Sequence, residues 1–440
     1  MSAAPRKELS LFDSTCIIVG IIIGASIYMN APLIAQCMGG WPGTLGIWLA
    51  GGLLALLGGL CYAELATAYP FSGGDYVYLT RSYGRWAGFL FGWTQLMVIR
   101  PGDIALMAFT FATYAVTLFP FACGHVVYAA GAIVVLTVIN ILGVKEGKWT
   151  QNVLTVVKAL GLLAIVAAGL LAANRPPLAP QGDVTPGGVK LALILVLFAF
   201  GGWNDMAYVA AEVKRPETNI VRALVIGTVA VTVLYVLVNG AFLFTLGYEK
   251  MVASEAVATD TVATVLPKAG GTLIGILICV SALGALNGMV FTGARISYAM
   301  GTEHALFRGL GRWNPRLGTP VGALAVQGAL SLVIVLVAGS FVDTILYTAP
   351  AVWVFFLGTG VSLFVLRRRD RHVPRPWKVA GYPLVPILFC ACCLFMLYSS
   401  VSYSAVSKPY SLVVLAGALL GGAVLYRLTR SRDRTGAISA

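Results

Sequence analysis

Apolar residues run through this chain in long unbroken stretches rather than in alternation with polar ones. Twelve such stretches can be marked, at about 14–37, 42–69, 86–118, 125–143, 150–173, 189–213, 220–246, 270–300, 320–338, 341–366, 384–404 and 409–427. A helix needs about 20 mostly apolar residues to cross the hydrocarbon of a bilayer. Strands of an outer-membrane barrel alternate over about ten residues, and nothing here does so. The pattern predicts an all-α polytopic membrane protein with twelve transmembrane helices.

Composition agrees. Hydrophobic residues make up 59% of the 440 and charged residues only 11%, against about 25% charged in a soluble domain. The net charge of +13 invites a nucleic-acid reading, but its placement argues for topology. If the N-terminus is cytoplasmic, the inside loops hold Arg6, Lys7, Arg81, Arg85, Lys145, Lys148, Lys214, Arg215, Arg222, Arg295, Arg308, Arg312 and Arg316. They also hold the cluster from Arg367 to Lys378 and the tail arginines Arg427, Arg430, Arg432 and Arg434. The outside loops hold only Arg175, Lys190, Lys250, Lys268 and Lys408. That bias predicts a multi-pass plasma-membrane protein (the inner membrane of a bacterium) with both termini cytoplasmic. The first apolar run is too long for a signal peptide and lacks a small-residue cleavage site. Six of the eight cysteines lie inside predicted spans and read as packing residues; Cys37 and Cys123 fall near the outer face, and no disulfide framework is expected.

Several chemistries are excluded by what the sequence lacks. There is no G-x-x-x-x-G-K-[ST] loop and no G-x-S-x-G elbow. His125, His304 and His372 are far apart and form no metal-ligand spacing. Neither a cofactor nor a metal is expected, and the chain does not read as an enzyme.

Two spans contain small residues near their middle. The first carries Gly20-Ile21-Ile22-Ile23-Gly24-Ala25-Ser26-Ile27, and the sixth carries Phe198-Ala199-Phe200-Gly201-Gly202-Trp203-Asn204-Asp205. Such glycines also serve close helix packing, as Gly20 and Gly24 would allow. Their matching first and sixth positions favour paired interruptions in two five-helix repeats, at about 10–173 and 188–366, with two more helices at about 384–427. An unwound segment exposes amides that attract a carboxylate and carbonyls that accept from an ammonium group. A zwitterionic amino acid supplies both charges.

At these residues the chain resembles the amino acid–polyamine–organocation transporters, in their L-type amino acid transporter branch. The resemblance runs from about Leu9 to Pro386. It includes Leu9 to Asp13, the Gly24-centred break, Tyr62-Ala63-Glu64-Leu65 and Tyr69-Pro70-Phe71-Ser72-Gly73-Gly74-Asp75-Tyr76. It continues through Ile99-Arg100-Pro101, Phe198 to Asn204, Glu212 to Ile220, Ser281 to Gly288, Arg375-Pro376-Trp377-Lys378 and Tyr382-Pro383. It implies a LeuT-like 5+5 inverted repeat with helices 1 and 6 broken. By that likeness, amides around Gly24, Ala25 and Ser26 hold the carboxylate, and carbonyls near Ile22, Phe198 and Gly201 hold the ammonium. Phe198 resembles an aromatic lid, while Gly202, Trp203 and Asn204 shape the unwound segment. Two residues depart from the family pattern. Ser26 stands where Gly is usual, and either narrows the pocket or adds a donor. Asp205 stands where a neutral or aromatic residue is commoner; it favours a cationic substrate, carries a proton, or caps the second half-helix.

Ionisable residues inside spans complete the reading. Lys158 lies ten residues past Lys148, so about 15 Å deeper. In some relatives a lysine there occupies the place of a sodium ion. The resemblance implies the same for Lys158, with Ser281 as partner, unless it serves only to lock helices together. Arg100 and Asp103, one turn apart, are expected to pair. Glu64 and Glu212 are expected to tie helix ends to loops, and Asn287 to bond between helices. Cys123 falls in the loop where animal L-type transporters bridge to a heavy subunit, but the short tails favour a stand-alone transporter.

Together these expectations describe a secondary amino acid transporter, working by sodium-independent exchange of neutral L-amino acids through alternating access. Membrane lipid and a small amino acid are its expected partners, and no nucleic acid is. Proton-coupled symport through Lys158 or Asp205 is the nearest rival, and a channel or an amino acid sensor is the rival from another class.

Overall fold

The computed structural model describes residues 5–120, 124–172, 184, 187–338, 341–407 and 409–436. Cys123 and Arg175 lie outside them. In chain order the helices are α1 (Leu11–Ile22), α2 (Ser26–Met29), α3 (Ala31–Met38), α4 (Trp41–Ala68), α5 (Asp75–Tyr83) and α6 (Arg85–Thr94). A π turn, Gln95–Ile99, leads into α7 (Arg100–Leu118), then α8 (Gly124–Leu142), α9 (Val144–Leu171) and α10 (Gly188–Ala199). A 3₁₀ helix, Trp203–Glu212, precedes α11 (Pro216–Ala253), α12 (Val257–Ala263), α13 (Gly270–Glu303), α14 (Val321–Ala338), α15 (Phe341–Arg369), α16 (Leu384–Ser407) and α17 (Pro409–Gly436).

Among the described residues, eleven helices are long and apolar enough to cross a membrane, and Val321–Val337 is apolar but shorter. The described chain is thus all-helical and polytopic; eleven full-length spans are present where the sequence predicted twelve. The largest difference in boundary is at the first span. Predicted to run to residue 37, it ends at Met29, and the chain turns at Asn30 into the short α3. Pro32 at the second position of α3 fits a helix start and not a helix interior.

Polar contacts fix helix ends where the sequence places charge. Ser10 caps α1, accepting from the Asp13 amide at 3.2 Å while the Asp13 carboxylate accepts from the Ser10 amide at 2.8 Å. The same carboxylate accepts from Asn152 at 2.7 Å and pairs with Lys148 at 3.2 Å, joining α1 to α9. Helix α1 is thereby held among α9, α11 and α13. Asn287 of α13 bonds Gln151 (2.9 Å) and accepts from Asn140 (2.8 Å), so it does join helices.

The end of the molecule that carries the basic clusters is closed. Leu9 pairs with Val213 as an isolated bridge, with the Leu9 amide donating to Glu212 O at 2.9 Å and the Lys214 amide to Leu9 O at 2.8 Å. The Glu212 carboxylate takes a two-pronged contact from Arg295, at 2.8 and 3.0 Å, with both side chains fully buried. Glu64, equally buried, accepts from Arg367 at 2.7 and 2.5 Å and from the Val379 amide at 2.7 Å. Glu64 thus ties its helix to the loop at Val379 as its position implied, and also to Arg367 of α15; the Glu212 carboxylate instead joins Arg295 inside α13, a residue expected in a loop.

Candidate functional site

Two helices lose their regular hydrogen bonding at the same depth. Helix α1 stops at Ile22; Ile23 (φ −72°, ψ 85°) leaves the helical region, and the Gly24 amide turns back to Ile22 O at 2.8 Å. The amides of Ala25, Ser26 and Ile27 find no acceptor among the described residues. In the sixth span, α10 ends at Ala199, and the Gly201 amide bonds Phe198 O at 3.0 Å. Gly202 then takes φ +105°, a left-handed conformation that a side chain would strain. A Cβ there would also overlap Ile21 of α1, so glycine at 202 allows both the turn and the close approach of the two breaks. Beyond it the chain forms a ten-residue 3₁₀ helix, Trp203–Glu212, and not the α-helical second half that the sequence predicted. Runs of 3₁₀ longer than about four residues are uncommon and often mark a hinge. The Tyr235 hydroxyl of α11 lies between the breaks, 2.9 Å from Ile22 O and 3.3 Å from Ala199 O.

Between the breaks lies a cavity of about 310 Å³, the size of a small-ligand site. Ile22, Gly24, Ala25, Ser26, Phe198, Gly201, Gly202, Trp203 and Asn204 all line it, as does Asp205. The structure therefore brings the nine residues predicted to bind substrate around one cavity. The lining continues past Met29, which is 47% exposed, and reaches Ser400 of α16, so the cavity opens away from the basic end.

Lys158 and Ser281 stand behind the first break, outside the cavity lining. Lys158 is fully buried. Its ammonium donates to Gly20 O at 2.7 Å, Ile23 O at 2.8 Å and Ser281 O at 3.0 Å, using all three protons on backbone carbonyls. The Ser281 partner is thus its carbonyl, while its hydroxyl donates to Ile23 O (3.0 Å) and Gly24 O (3.2 Å). Carbonyls released by the end of α1 are satisfied by one ammonium and one hydroxyl. A Cβ at Gly284 would stand 2.7 Å from the Lys158 Nζ, so glycine makes room for this arrangement.

A second network holds the sixth span from the basic side. Asp205 does not cap the helix that follows it. Its carboxylate pairs with Arg100 at 2.5 Å and accepts from Thr292 at 2.7 Å. Arg100 therefore reaches across to the sixth span instead of pairing with Asp103, because the π turn before it and the Tyr208 ring (5.1 Å from the guanidinium carbon) direct it there. Asn204 donates to the Tyr208 hydroxyl at 2.7 Å, and that hydroxyl donates to Asp75 at 2.8 Å. Asp75 also accepts from Thr359 at 2.5 Å and from Tyr62. Burial pushes the Asp75 carboxyl up to about 6, against the three hydroxyl donors that favour its charged form. Trp203 packs edge-on to Tyr62 (4.9 Å) and beside Phe356 and Phe389. Sequence reasoning missed Tyr235, Asp75, Tyr208, Thr292 and Thr359. Tyr235, Thr292 and Thr359 are single polar residues in apolar runs, and only Asp75, beside two glycines, carried a local signal.

An all-helical, membrane-spanning body with a ligand-sized cavity between two interrupted helices, closed at one end, is that of a broken-helix membrane transporter. A model of the amino acid permease family matches residues 9–424. The chain belongs to the amino acid permease family. It is 32% identical over 443 residues to the b(0,+)-type amino acid transporter 1 of Mus musculus, covering 96% of this chain and 88% of that one. It is 32% identical over 419 residues to the serine/threonine exchanger SteT of Bacillus subtilis, covering 94% and 95%. With the large neutral amino acids transporter small subunit 2 of Mus musculus it shares 33% identity over 412 residues, 90% of this chain and 77% of the relative.

Proposed function

We propose that this amino acid permease is a sodium-independent exchanger of neutral L-amino acids. It works by alternating access, with repeats at about 10–173 and 188–366 rocking about the cavity, in the plasma membrane, and with both termini cytoplasmic. The observation that carries this is the cavity itself, walled by two facing helix breaks. The unpaired amides of Ala25, Ser26 and Ile27 offer donors to a carboxylate. Ser26 adds a hydroxyl that has no partner among the described residues and lines the same wall. Carbonyls near Ile22, Phe198 and Gly201 face an ammonium group, and Phe198 covers the substrate. Lys158 stands in for a sodium ion: its charge and three carbonyl contacts join the fifth span to the first and eighth without a dissociable cation. Relatives named as exchangers and amino acid transporters support this direction.

Proton-coupled symport is the second reading. The pairing of Asp205 with Arg100 disfavours Asp205 as carrier and leaves Lys158 for that role. A heavy-subunit partner through Cys123 is not part of the proposal, although one relative bears the name of a small subunit.

The test is uptake of labelled amino acid into proteoliposomes with and without unlabelled amino acid inside, repeated with sodium replaced and across a pH gradient. Uptake that needs internal amino acid and ignores sodium and pH is expected. Uptake into empty vesicles driven by inward protons would overturn exchange and support the symport reading.

A further inference from the structure

The basic end of the molecule carries a second cavity, apart from the one between the breaks. It is an open cleft of about 550 Å³ in the segment that joins α13 to α14, and Arg312, Trp313, Asn314, Arg316 and Gly322 line it. No carboxylate is among its lining residues. Both arginines are exposed, and neither side chain makes a hydrogen bond or an ion pair among the described residues. They differ in this from Arg295, Arg367 and Arg375, which are taken up by Glu212 and Glu64. The cleft thus holds two positive charges that the protein does not balance from its own walls.

Those walls are fixed by contacts of their own. Trp313 is 6% exposed, stacks edge-on against Tyr298 of α13 (5.1 Å) and lies 5.7 Å from the guanidinium carbon of Arg295. The Asn314 side chain accepts from the amides of Arg316 (2.9 Å) and Leu317 (3.2 Å), and its own amide donates to Thr319 O at 3.0 Å. The Thr319 hydroxyl donates to Ile141 O of α8 at 3.2 Å. Arg312 and Arg316 therefore project from a turn anchored on two helices.

What lies next to the cleft separates a lipid from a small anion. The apolar helix α14 begins at Val321, five residues after Arg316, which puts the two guanidinium groups at the depth of lipid head groups. Gly322, Val326, Ala329, Val333 and Leu336 follow at helical spacing and share one face of α14. Gly322 lines the cleft, and the other four are exposed. An apolar stripe thus starts at the foot of the basic cleft and runs into the hydrocarbon. A phospholipid uses both parts, and a soluble phosphate uses only the first.

We propose that this cleft is a binding site for an anionic phospholipid, with Arg312 and Arg316 on the head-group phosphate and an acyl chain along the exposed stripe of α14. Guanidinium groups suit phosphate oxygens by charge and by their forked donors. A zwitterionic head group would bring its own ammonium toward two arginines, so net negative charge is selected.

The experiment titrates dioleoylphosphatidylglycerol into detergent micelles of the purified full chain and reads the half-saturating mole fraction from the rise in Tm. Dioleoylphosphatidylcholine and inorganic phosphate are titrated in parallel. Phosphatidylglycerol is expected to stabilise the wild type saturably, and the other two are not. Arg312→Gln with Arg316→Gln is expected to raise the half-saturating fraction at least about tenfold, from the loss of two head-group contacts. Arg368→Gln with Arg371→Gln removes two exposed charges outside the cleft and is expected to leave that fraction close to the wild-type value. Equal stabilisation of the wild type by phosphatidylcholine overturns the proposal. So does an equal loss in the two double variants, which would mean a diffuse attraction of lipid to the basic end. Full stabilisation by inorganic phosphate, lost with Arg312 and Arg316, would make the cleft a site for a soluble anion and overturn the lipid assignment. If the cleft double variant does not fold, Arg312→Gln and Arg316→Gln are read singly, each expected to raise the fraction about threefold, and no change in either overturns the site.

Discussion

Lys158 is the residue on which the first break depends. Three backbone carbonyls converge on its ammonium, and the side chain is fully buried. Lys158→Met keeps the length of the side chain and removes the donors. Leaving buried carbonyls unpaired costs about 1–3 kcal/mol each at most, so the variant is expected to lower the Tm and to exchange at least about tenfold more slowly. Exchange at the wild-type rate in a Lys158→Met protein would show that the ammonium is dispensable. Gly284→Ala approaches the same point from the other side. Its methyl would stand 2.7 Å from the ammonium, so the variant is expected to slow exchange in the same direction with the lysine still present. A wild-type exchange rate in Gly284→Ala would mean that the ammonium can shift without consequence.

At the scale of elements, the 3₁₀ helix Trp203–Glu212 is held at its two ends and along one side. Arg100 and Thr292 hold Asp205, Tyr208 joins Asn204 to Asp75, and Arg295 holds Glu212. A closure of this kind, made by hydroxyl and ion contacts around a non-α segment, is one that can be undone as a unit. Asp75 links the stability of the folded protein to pH. Burial raises its carboxyl to about 6 from 3.8, so the folded protein takes up a proton between these values while the unfolded chain does not. The raised value means that Asp75 opposes folding most above about pH 6, and that this opposition fades as the pH falls toward 4. Thermal unfolding at pH 5 and pH 7 in wild type and Asp75→Asn tests it. The variant is expected to lose part of any gain that the wild type shows on acidification, and an identical pH response in both proteins would remove Asp75 from the account. Glu64 belongs to the same scale. Glu64→Ala leaves Arg367 and Arg375 without their buried partner, and removal of one member of a buried pair costs about 3–5 kcal/mol. The yield of folded, monodisperse protein after detergent extraction is expected to drop sharply.

For the whole molecule, the closed basic end and the open cavity define one conformation of a transport cycle. The cavity lining extends from Met29 to Ser400 on the side away from the basic clusters, while the Leu9–Val213 bridge and the Glu212–Arg295 pair seal the opposite side. In a background with the native cysteines replaced, Ser400→Cys is expected to react with a membrane-impermeant thiol reagent applied from the side opposite the basic clusters. Bound amino acid is expected to slow that reaction. Modification only from the basic side would reverse the assigned direction of the opening.

Much of this was legible in the sequence, and what was not has an identifiable cause. Solvation alone dictates the long apolar runs and the one-sided arginines and lysines, because a backbone in lipid must satisfy its hydrogen bonds within a helix. The small residues at Gly24-Ala25-Ser26 and Gly201-Gly202 marked both breaks, since local chain stiffness decides where a helix can stop. A lysine near mid-depth marked itself, because a charge there needs a reason. Which groups meet across the molecule was beyond local pattern. Arg100 and Asp103 sit one turn apart and were expected to pair, yet a facing span offers Arg100 a better-placed carboxylate in Asp205. The hydroxyls of Tyr235 and Tyr208 look like any others in apolar helices until α11 and the sixth span are set beside α1 and Asp75. The sequence by itself determined the solvent of each segment and the points where the backbone gives way. Only the tertiary structure decided which buried charge and hydroxyl partners which carbonyl, because those contacts join residues on different helices, most of them a hundred or more positions apart, and depend on how the helices pack.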